Sequence, residues 1–489
     1  MIYMLIHKII NFFNTENAMI VLKMQPRIII IGAGIAGISA ARRLVDVGFK
    51  RVLIVEAAER IGGRIYTVPF GDDKFPVELG ANWIHGPSEQ NSVFRIADAI
   101  GALKPYQVMN RISRFITEDG VEIQKDIVKD AVHSFNKVAD DVYKILPNER
   151  IRHGRIVTVA PLIHERLAKE IERNKGELSC TKDTKRVWNA MLNFVRYYDG
   201  DELEQVTWEK YRDEYNLPEG GDVYIPGGYD QILKHLMKSI PKKSLMLQKE
   251  VIEILWNNRD DKSIKIKTRD ESTFEADHVI VTSSISYLKR HHETLFKPKL
   301  PQSKIDVLNS LKLGRVNKIF LQFDEPILAP TYRSIAFAWD DTSIKNVQND
   351  WYKRIIGFDQ IFTKNNTLLG WIAGDAAEYM ETLSNDEIGK ICVELLRKLL
   401  GNRNIPKPKA VLVSRWCSNP YVLGSYFHQT KRMIPGEQTI LSEPITTPSG
   451  GPVIMFAGEA LTNGCTHGAR DSGIQQAERL IELYIKKKK

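Results

Sequence analysis

The hydrophobic pattern is clearest just after residue 26, where a strand, a tight turn, a helix and a second strand follow one another. Arg27 to Ile31 is an apolar run typical of a fully buried strand. Gly32, Gly34 and Gly37 separate this run from a stretch with helical periodicity, and a second apolar run ends at Glu56. This order predicts a βαβ unit at the start of an α/β domain.

Four further patterned blocks follow along the chain. From about Gly101 to Leu217, charged residues recur at helical spacing, which predicts a helical insertion. Alternating segments from Leu245 to Ser284 predict a small sheet. The block from Pro301 to about Leu400 predicts two strands and a helix capped by Ser384. The last block predicts the strands AVLVSRW and VIMFAGE and a closing helix from Ser472 to Ile485.

Composition and charge restrict the class of protein. The chain has 489 residues, of which 43% are hydrophobic and 26% charged, as expected for a soluble globular enzyme of two or three domains. The net charge is +9, but Lys486 to Lys489 supply four of these charges and the other basic residues are dispersed, so we expect no nucleic-acid partner. No 18-residue apolar run follows the N-terminal segment, so we expect no membrane span.

The cysteines and the N-terminal segment bear on the compartment. The four cysteines show no metal-ligand or disulfide spacing; they are Cys180, Cys392, Cys417 and Cys465. We therefore expect reduced thiols, no metal site and a cytoplasmic location. Residues 1–26 are apolar at first but are interrupted by Lys8 and lack a convincing cleavage site, which favours an unstructured leader. The alternative is a poor signal peptide and a secreted protein.

The glycine-rich turn after the first strand predicts a bound dinucleotide. Gly32, Gly34 and Gly37 permit the turn, let backbone approach a pyrophosphate and let the helix pack on the strand, while the helix N-terminus supplies partial positive charge. Glu56 follows Gly37 by 19 residues, where an acid binds ribose hydroxyls and repels a 2′-phosphate. The tripeptide Gly62-Gly63-Arg64 follows closely, and NAD-binding domains rarely carry it.

Four motifs, taken in order, resemble those of the FAD-dependent amine oxidases: IGAGIAGISAARRL, VEAAERIGGR, VELGANWIHGP and MFAGEALTNGCTHGARDSGIQQAERL. The resemblance runs from Arg27 to Leu483. Within that family, the segments WIHGP, KPKLP, NKIFLQF, GDAAEYMETLS and SRWCSNPYVLGSY are most similar to the animal polyamine oxidases.

The resemblance implies a fold and a division into domains. We expect an α/β protein with an FAD-binding Rossmann-like domain of the GR2 type and a discontinuous α+β substrate-binding domain. The FAD-binding domain is expected to comprise residues 27–100, 220–300 and 410–489, and the substrate-binding domain residues 101–219 and 301–409. Residues 1–26 are the leader.

The resemblance also implies which residues hold FAD. Arg64 is expected at the phosphates or ribose, Glu459 at the ribityl or pyrophosphate portion, and the helix beginning near Thr466 at the pyrimidine edge of the flavin. Val251 is expected to meet the adenine through its backbone, although the residue by itself suggests only core. The full expected set is Gly32, Gly34, Ile35, Gly37, Glu56, Gly63, Arg64, Gly80, Ala81, Asn82, Trp83, Val251, Trp416, Tyr421, Gly458, Glu459 and Thr466. Because Ser425 stands where monoamine oxidases attach flavin through cysteine, we expect noncovalent FAD.

Lys318 and His85 are the catalytic candidates. Read from the strand NKIFLQF alone, Lys318 is an edge-strand lysine that reaches solvent; the resemblance instead implies a lysine beside flavin N5, bridged by one water. His85 follows Trp83-Ile84, where animal polyamine oxidases carry a histidine at the substrate tunnel, and it could equally be a structural histidine.

Further residues are expected to contact substrate. Tyr426 is expected to form one aromatic wall around the reacting carbon, while Cys465 and Thr466 stand at the opposite wall, which is aromatic in some relatives. A polycationic substrate needs local acids at the tunnel mouth. We therefore expect Glu202 to attract substrate, with its neighbours in the acidic run Asp199, Asp201 and Glu204; a solvated loop is the alternative.

The expected reaction is the FAD-dependent oxidation of a polyamine: spermine, N1-acetylspermine, N1-acetylspermidine or spermidine. Hydride transfer to flavin N5 and hydrolysis of the resulting imine would give an aldehyde and a shorter amine, and molecular oxygen would become hydrogen peroxide. We expect a monomer or a homodimer. The alternatives are an L-amino acid oxidase, a lysine demethylase-like enzyme and a catalytically silent flavin-binding protein.

Overall fold

The computed structural model describes residues 25–104, 113–143, 151–152, 155–156, 158–173, 182–207, 221–256, 263–329, 332–361, 364–429, 436–446, 451–462 and 464–485. Its helices are Ile35–Asp46, Ser92–Ala99, Lys125–Tyr143, Val159–Arg173, Lys182–Asp199, Asp230–Met237, Ile285–Leu295, Gln302–Ser310, Val347–Asp350, Asp375–Met380, Asn385–Leu399, Glu437–Ser442 and Thr466–Tyr484. Short 3₁₀ turns cover Lys242–Ser244, Trp351–Arg354 and Glu459–Leu461.

The strands, numbered along the chain, are β1 Ile28–Ile31, β2 Val52–Val55, β3 Thr67–Phe70, β4 Phe75–Glu78, β5 Trp83–His85, β6 Ser113–Thr117, β7 Ile151–Arg152, β8 Arg155–Ile156, β9 Asp222–Tyr224, β10 Leu245–Met246, β11 Val251–Leu255, β12 Ile264–Thr268, β13 Thr273–Ala276, β14 His278–Val281, β15 Phe296–Lys297, β16 Leu311–Leu313, β17 Val316–Gln322, β18 Ser334–Ala338, β19 Ile355–Ile361, β20 Lys364–Ala373, β21 Ala410–Val413, β22 Phe427–Gln429, β23 Ile445–Thr446 and β24 Pro452–Phe456.

A six-stranded sheet in the order β10-β2-β1-β14-β24-β23 draws on the beginning, middle and end of the chain. All its pairings are parallel except that of β23 with β24. Every residue of β1 is buried, as the apolar run predicts for a strand covered on both faces. This sheet confirms the expected α/β fold class.

Helices Ile35–Asp46 and Thr466–Tyr484 pack against each other beside this sheet, and glycines allow the close approach. A Cβ added at Gly473 would lie 2.1 Å from the carbonyl oxygen of Ala36, and one at Gly37 would lie 2.1 Å from that of Gly32. Gly37 therefore serves helix packing rather than ligand contact. The closing helix begins at Thr466, six residues earlier than its apolar pattern indicates.

A second six-stranded sheet has the order β21-β17-β20-β19-β18-β6. Strand β17, which carries Lys318, is buried along its whole length and lies between β20 and β21. The interpretation of Lys318 as an edge-strand lysine is therefore wrong. Strand β21 pairs with β17, so Ala410–Val413 belongs to this sheet rather than to the FAD-binding segment that we expected to begin at residue 410.

Helices fill much of the segment from residue 101 to 219, as expected, but the segment also supplies a strand. Lys125–Tyr143, Val159–Arg173 and Lys182–Asp199 share an apolar core with residues of β6 and β18. Strand β6 pairs in parallel with β18 at the edge of the second sheet. Among the described helices, none is long and apolar enough to cross a membrane.

Candidate active site

A cavity of about 610 Å³ lies between the two six-stranded sheets. Its lining includes the residues that follow four adjacent parallel strands: Gly32 after β1, Glu56 after β2, Thr282 after β14 and Gly458 after β24. In parallel sheets the carboxyl ends of the strands are the usual place for a nucleotide. Of the residues expected at the site, all except Gly37 and Glu202 lie along this cavity.

Two glycine turns form a cradle at one end of the cavity. Gly34 is the N-cap of Ile35–Asp46 and makes no side-chain cap, while Gly34 and Gly62 form a parallel bridge. A Cβ added at Gly34 would meet nothing within 4 Å, and one at Gly63 would come no closer than 3.7 Å, to the Cα of Gly34. The cradle thus leaves both open space and free helix amides, which fits the pyrophosphate of a dinucleotide.

Glu56 is held at the cavity wall by backbone amides. Its Oε2 accepts a hydrogen bond from Ala33 N at 2.6 Å, and its Oε1 accepts one from Ala58 N at 2.9 Å. Each carboxylate oxygen keeps a second lone pair, so the side chain can still accept hydrogen bonds from ribose hydroxyls.

Arg64 and Glu459 form one ion pair at the cavity. Arg64 Nη1 lies 2.7 Å from Glu459 Oε1 and also donates to the carbonyl oxygen of Ser425 at 2.8 Å. Each of these residues was expected to approach the cofactor, and the expectation did not include a contact between them. The pair instead ties the loop after Gly63 to the segment after β24, so both charges are partly compensated before any ligand is bound.

Lys318 is the most deeply buried charge at the site, with 2% of its surface exposed. Its Nζ donates to the carbonyl oxygens of Glu78 at 2.6 Å and Gly80 at 2.7 Å, and to Asn82 Oδ1 at 3.0 Å. Three acceptors match the three protons of an ammonium group. The strand β17 therefore delivers a lysine to the Gly80–Trp83 segment, where the cofactor ring was expected.

The ionisation of Lys318 is coupled to its surroundings. Burial lowers the pKa of Lys318 to about 7, against the opposing charge of Glu78. Burial also raises the pKa of the Glu78 carboxyl group, although the Tyr229 amide and the Lys318 charge oppose this. A lysine whose pKa lies near neutrality can hold or release a proton during a reaction.

Aromatic side chains that sequence reasoning missed surround Lys318. Its Nζ lies 4.6 Å from the centroid of Trp371, which faces it across β17 and β20. Trp371 stacks on Trp83 with ring centroids 5.2 Å apart, and Tyr197 lies 4.8 Å from it in a tilted arrangement. The segment LLGWIAG is one of the two strands predicted between Pro301 and Leu400, but only its register against β17 brings Trp371 to the site.

Trp416 fixes the loop that contains Gly80. Its Nε1 donates to the carbonyl oxygen of Leu79 at 2.8 Å, and a Cβ at Gly80 would lie 3.2 Å from its ring. Tyr421 and Val251 lie farther along the same cavity. Ser425 Oγ is buried and has no hydrogen-bond partner among the described residues.

His85 lines one corner of the cavity and pairs with Asp222, an acid that sequence reasoning missed and that is not itself part of the cavity lining. His85 Nδ1 and Asp222 Oδ1 are 2.6 Å apart, because His85 in β5 and Asp222 in β9 are paired across the antiparallel ladder. Both side chains stay more than one-third exposed. The corner thus combines a proton-exchanging group with a carboxylate that can attract cations.

Tyr426, Cys465 and Thr466 complete the cavity wall. The hydroxyl of Tyr426 donates to the carbonyl oxygen of Tyr197. The hydroxyls of Thr466 and Tyr229 hydrogen-bond each other at the start of the closing helix. Cys465 lines the cavity beside them.

The acidic run does not form the expected tunnel mouth. Glu202 is only 12% exposed and its carboxylate pairs with Arg196 and Arg354, so its charge is neutralised inside the protein. Asp201 is fully buried in a second ion-pair cluster. The expectation that Glu202 attracts substrate is therefore corrected. Among the described residues, no cluster of His, Cys, Asp and Glu could hold a metal ion.

Comparison with known proteins agrees with this geometry. The family model "Flavin containing amine oxidoreductase" matches residues 35–481. The chain is 32% identical over 497 residues to the human peroxisomal N(1)-acetyl-spermine/spermidine oxidase, covering 94% of this chain and 95% of that one. It is 28% identical to the probable polyamine oxidase 5 of Arabidopsis thaliana, covering 94% and 99%.

A solved structure shares the fold. Cyclohexylamine oxidase from Brevibacterium oxydans IH-35A superposes with a TM-score of 0.68 at 17% sequence identity, covering 94% of this chain and 99% of that one. The fold and the cavity define a dinucleotide-binding oxidoreductase. The chain belongs to the flavin-containing amine oxidoreductase family and is an FAD-dependent amine oxidase.

Proposed function

We propose that this amine oxidase oxidises polyamines at a secondary amine, giving an aldehyde, a shorter amine and hydrogen peroxide. Human and bovine relatives named as N(1)-acetyl-spermine/spermidine oxidases, at 32% and 31% identity, support the substrate class. The observation that carries the proposal is the arrangement of Lys318 in an aromatic cavity with the His85–Asp222 pair at one corner.

The residues of this arrangement have different roles in binding the substrate and in the reaction. Aromatic faces of Trp371, Tyr197 and Tyr426 exclude water and attract an alkylamine. Asp222 can bind a second, protonated nitrogen of the same chain, which a monoamine would lack. His85 accepts a hydrogen bond or proton from the reacting nitrogen, which must be neutral so that its lone pair can stabilise the iminium ion when the adjacent carbon loses hydride.

FAD supplies the hydride acceptor and passes the electrons to oxygen. The cradle at Gly34, Glu56 and the Arg64–Glu459 pair would hold its phosphates, ribose and ribityl chain. Lys318 would hold a water and exchange its proton during imine hydrolysis or reoxidation, since its pKa lies near neutrality. We propose noncovalent attachment because Ser425 stands where monoamine oxidases carry the cysteine that attaches flavin.

Compartment and assembly also belong to the proposal. We propose a cytoplasmic location, which the free thiols of Cys392 and Cys417 support; the mammalian relatives are named as peroxisomal. Immunofluorescence against a peroxisomal marker would decide between the two. Size-exclusion chromatography with light scattering would show whether the protein is a monomer or a homodimer.

Anaerobic reduction of the bound flavin tests the function. Spermine, N1-acetylspermine and spermidine should each be mixed with the oxidised holoprotein, and at least one should bleach the flavin absorbance near roughly 450 nm. L-leucine and a methylated lysine peptide serve as the rival substrates. Bleaching by a rival alone, or by none of the polyamines, would contradict the proposal.

A further inference from the structure

Three chain segments meet beside the cavity, and each supplies part of its wall. The first ends helix Lys182–Asp199 and carries Tyr197 and Tyr198. The second leads from β16 into β17 and carries Lys318. The third precedes β22 and carries Tyr426. Their relative position therefore decides the width of the amine site.

The segments are packed backbone to backbone at Gly200 and Gly314. A Cβ at Gly200 would lie 2.8 Å from Cε2 of Tyr426, and one at Gly314 would lie 2.4 Å from the Gly200 carbonyl oxygen. Gly314 N donates to the Tyr426 carbonyl oxygen at 2.7 Å, and Arg315 N donates to that of Gly200 at 2.6 Å. The ring of Tyr426 thus rests directly on the turn that ends the helix.

Asp201, the next residue after Gly200, binds side chains from both other segments. Its Oδ2 lies 2.7 Å from Lys312 Nζ and 3.2 Å from His428 Nε2, and its Oδ1 lies 3.0 Å from Arg315 Nε. Lys312 and His428 are partners in the β16–β22 ladder. Asp201 and His428 are both fully buried. One carboxylate therefore joins all three segments without itself touching the cavity.

Asp201 is ionised, as is required for holding the positively charged side chains of the other two segments. Burial alone would raise its pKa, but the hydrogen bond from His428 and the charges of Arg315 and Lys312 outweigh burial and hold the pKa well below its usual range. The carboxylate stays ionised wherever the enzyme works. A buried charge with several matched partners fixes geometry because each displaced partner would be left uncompensated.

We propose that Asp201 is a positioning residue for the amine site, and that it sets the distance between the Tyr197–Tyr198 wall and Tyr426. The inference deepens the proposed function and depends on it, in that the positioned walls bind the amine. Substrate affinity is expected to depend on Asp201 more strongly than the limiting rate does. Asp201 contacts none of the groups that hold the reacting side chains: Lys318 Nζ is held by Glu78, Gly80 and Asn82, and the His85 ring is held by Asp222.

Asp201→Asn tests the inference by steady-state kinetics with the polyamine that reduces the flavin fastest. The KM is expected to rise about tenfold while kcat falls less than about threefold, because a displaced binding wall loses contacts that it makes equally with the bound substrate and the transition state. Asp340→Asn is the matched control: it breaks the Asp340–Arg186 ion pair near the start of the same helix, away from the cavity. The control should lower thermal stability and leave KM unchanged. Equal effects of both variants on KM would overturn the inference.

A double-mutant cycle tests the route through Tyr426. Tyr426→Phe keeps the ring and removes the hydroxyl group that donates to the carbonyl oxygen of Tyr197. If Asp201 acts by placing Tyr426, the double variant should raise KM little more than Asp201→Asn does. If the KM of the double variant instead rises by the product of the two single-variant factors, Asp201 does not act through Tyr426. If Asp201→Asn fails to fold, Lys312→Met is the second variant, because it removes a partner of Asp201 whose side chain is more exposed than Asp201 itself. It should shift KM in the same direction, by a smaller factor.

Hydrogen exchange of the cofactor-free protein gives a readout that needs no activity. In Asp201→Asn, the amides of Gly314, Arg315 and Ser425 should exchange faster, while those of β2 stay protected as in the wild type. Unchanged exchange at all three amides would contradict the positioning role. A wild-type protein that oxidises no polyamine would instead refute the proposed function. The exchange result would still show whether Asp201 holds the three segments together.

Discussion

Replacing Lys318 by methionine removes a buried ammonium while keeping the length of the side chain. Two energies oppose each other. Burial lowers the lysine pKa from 10.5 to about 7, which corresponds to roughly 5 kcal/mol lost from folding below pH 7, at about 1.4 kcal/mol per pKa unit. Methionine removes that cost but leaves three acceptor oxygens, on Glu78, Gly80 and Asn82, without their donor, at about 1–3 kcal/mol each.

Because these energies are similar, the unfolding free energy of Lys318→Met should differ from wild type by about 4 kcal/mol at most. Its pH dependence should differ more clearly. The folded-state pKa is below the unfolded one, so the unfolded wild-type chain binds more protons between pH 7 and 10.5, and stability rises with pH through this interval. Urea unfolding near pH 6.5 and near pH 9.5 should show that rise in wild type and a smaller one in the variant.

Turnover is the decisive measurement. Lys318→Met should keep FAD, because the cradle at Gly34 is untouched, but should lower the rate of the step that uses the lysine by about 10²-fold. An ionisation near pH 7 in the wild-type profile should also disappear. Unchanged turnover with an unchanged pH profile would remove Lys318 from the reaction.

Lys304 offers a matched control for this prediction. Like Lys318, it is buried and donates to three oxygen atoms, in this case the backbone oxygens of Ile440, Leu441 and Glu443, and burial lowers its pKa to about 8. It lies away from the cavity. Lys304→Met should therefore change stability and its pH dependence but leave turnover as in wild type.

Three further predictions concern the cofactor and the substrate. Gly34→Val should fold, because the φ of −73° suits valine, but its side chain would project into the cradle, so the protein should purify without its yellow colour and bind added FAD more than about tenfold more weakly. Acid precipitation of the holoprotein should release all of its flavin into the supernatant, whereas flavin retained in the pellet would indicate a covalent link. Asp222→Asn should raise the KM for a polyamine about tenfold and affect a monoamine little; equal loss for both would place Asp222 in a structural role.

The cofactor end of the site could be predicted because its signals are local. The turn at Gly32 to Gly37 and the acid Glu56 act through backbone geometry within one βαβ unit, and the structure places Gly32, Gly34 and Glu56 at one cavity. The family resemblance likewise depended on short contiguous motifs. Ser384, predicted as a cap, closes a capping box with Glu387 because both partners lie within one helical turn.

Residues that act through long-range pairing could not be predicted in the same way. The acidic run gave no sign that Glu202 would be buried between Arg196 and Arg354. Arg354 lies 152 residues away along the chain, and only the packing of the folded protein brings it to Glu202 and buries both. Asp222 reaches His85 only through the register of β5 with β9, 137 residues apart. Trp371 needs the register of β20 with β17.

The sequence by itself determined the ligand class and the family, because a glycine-rich turn and its ribose-binding acid are coded by neighbouring residues. The tertiary structure decided what surrounds the reacting groups. Lys318 is buried in a central strand, and His85 pairs with a carboxylate. Asp201 is buried where three chain segments meet and forms ion pairs there. Burial and strand register depend on many contacts between residues that are far apart in the sequence. They determine the pKa of a buried lysine and whether a carboxylate is exposed or held in an internal ion pair.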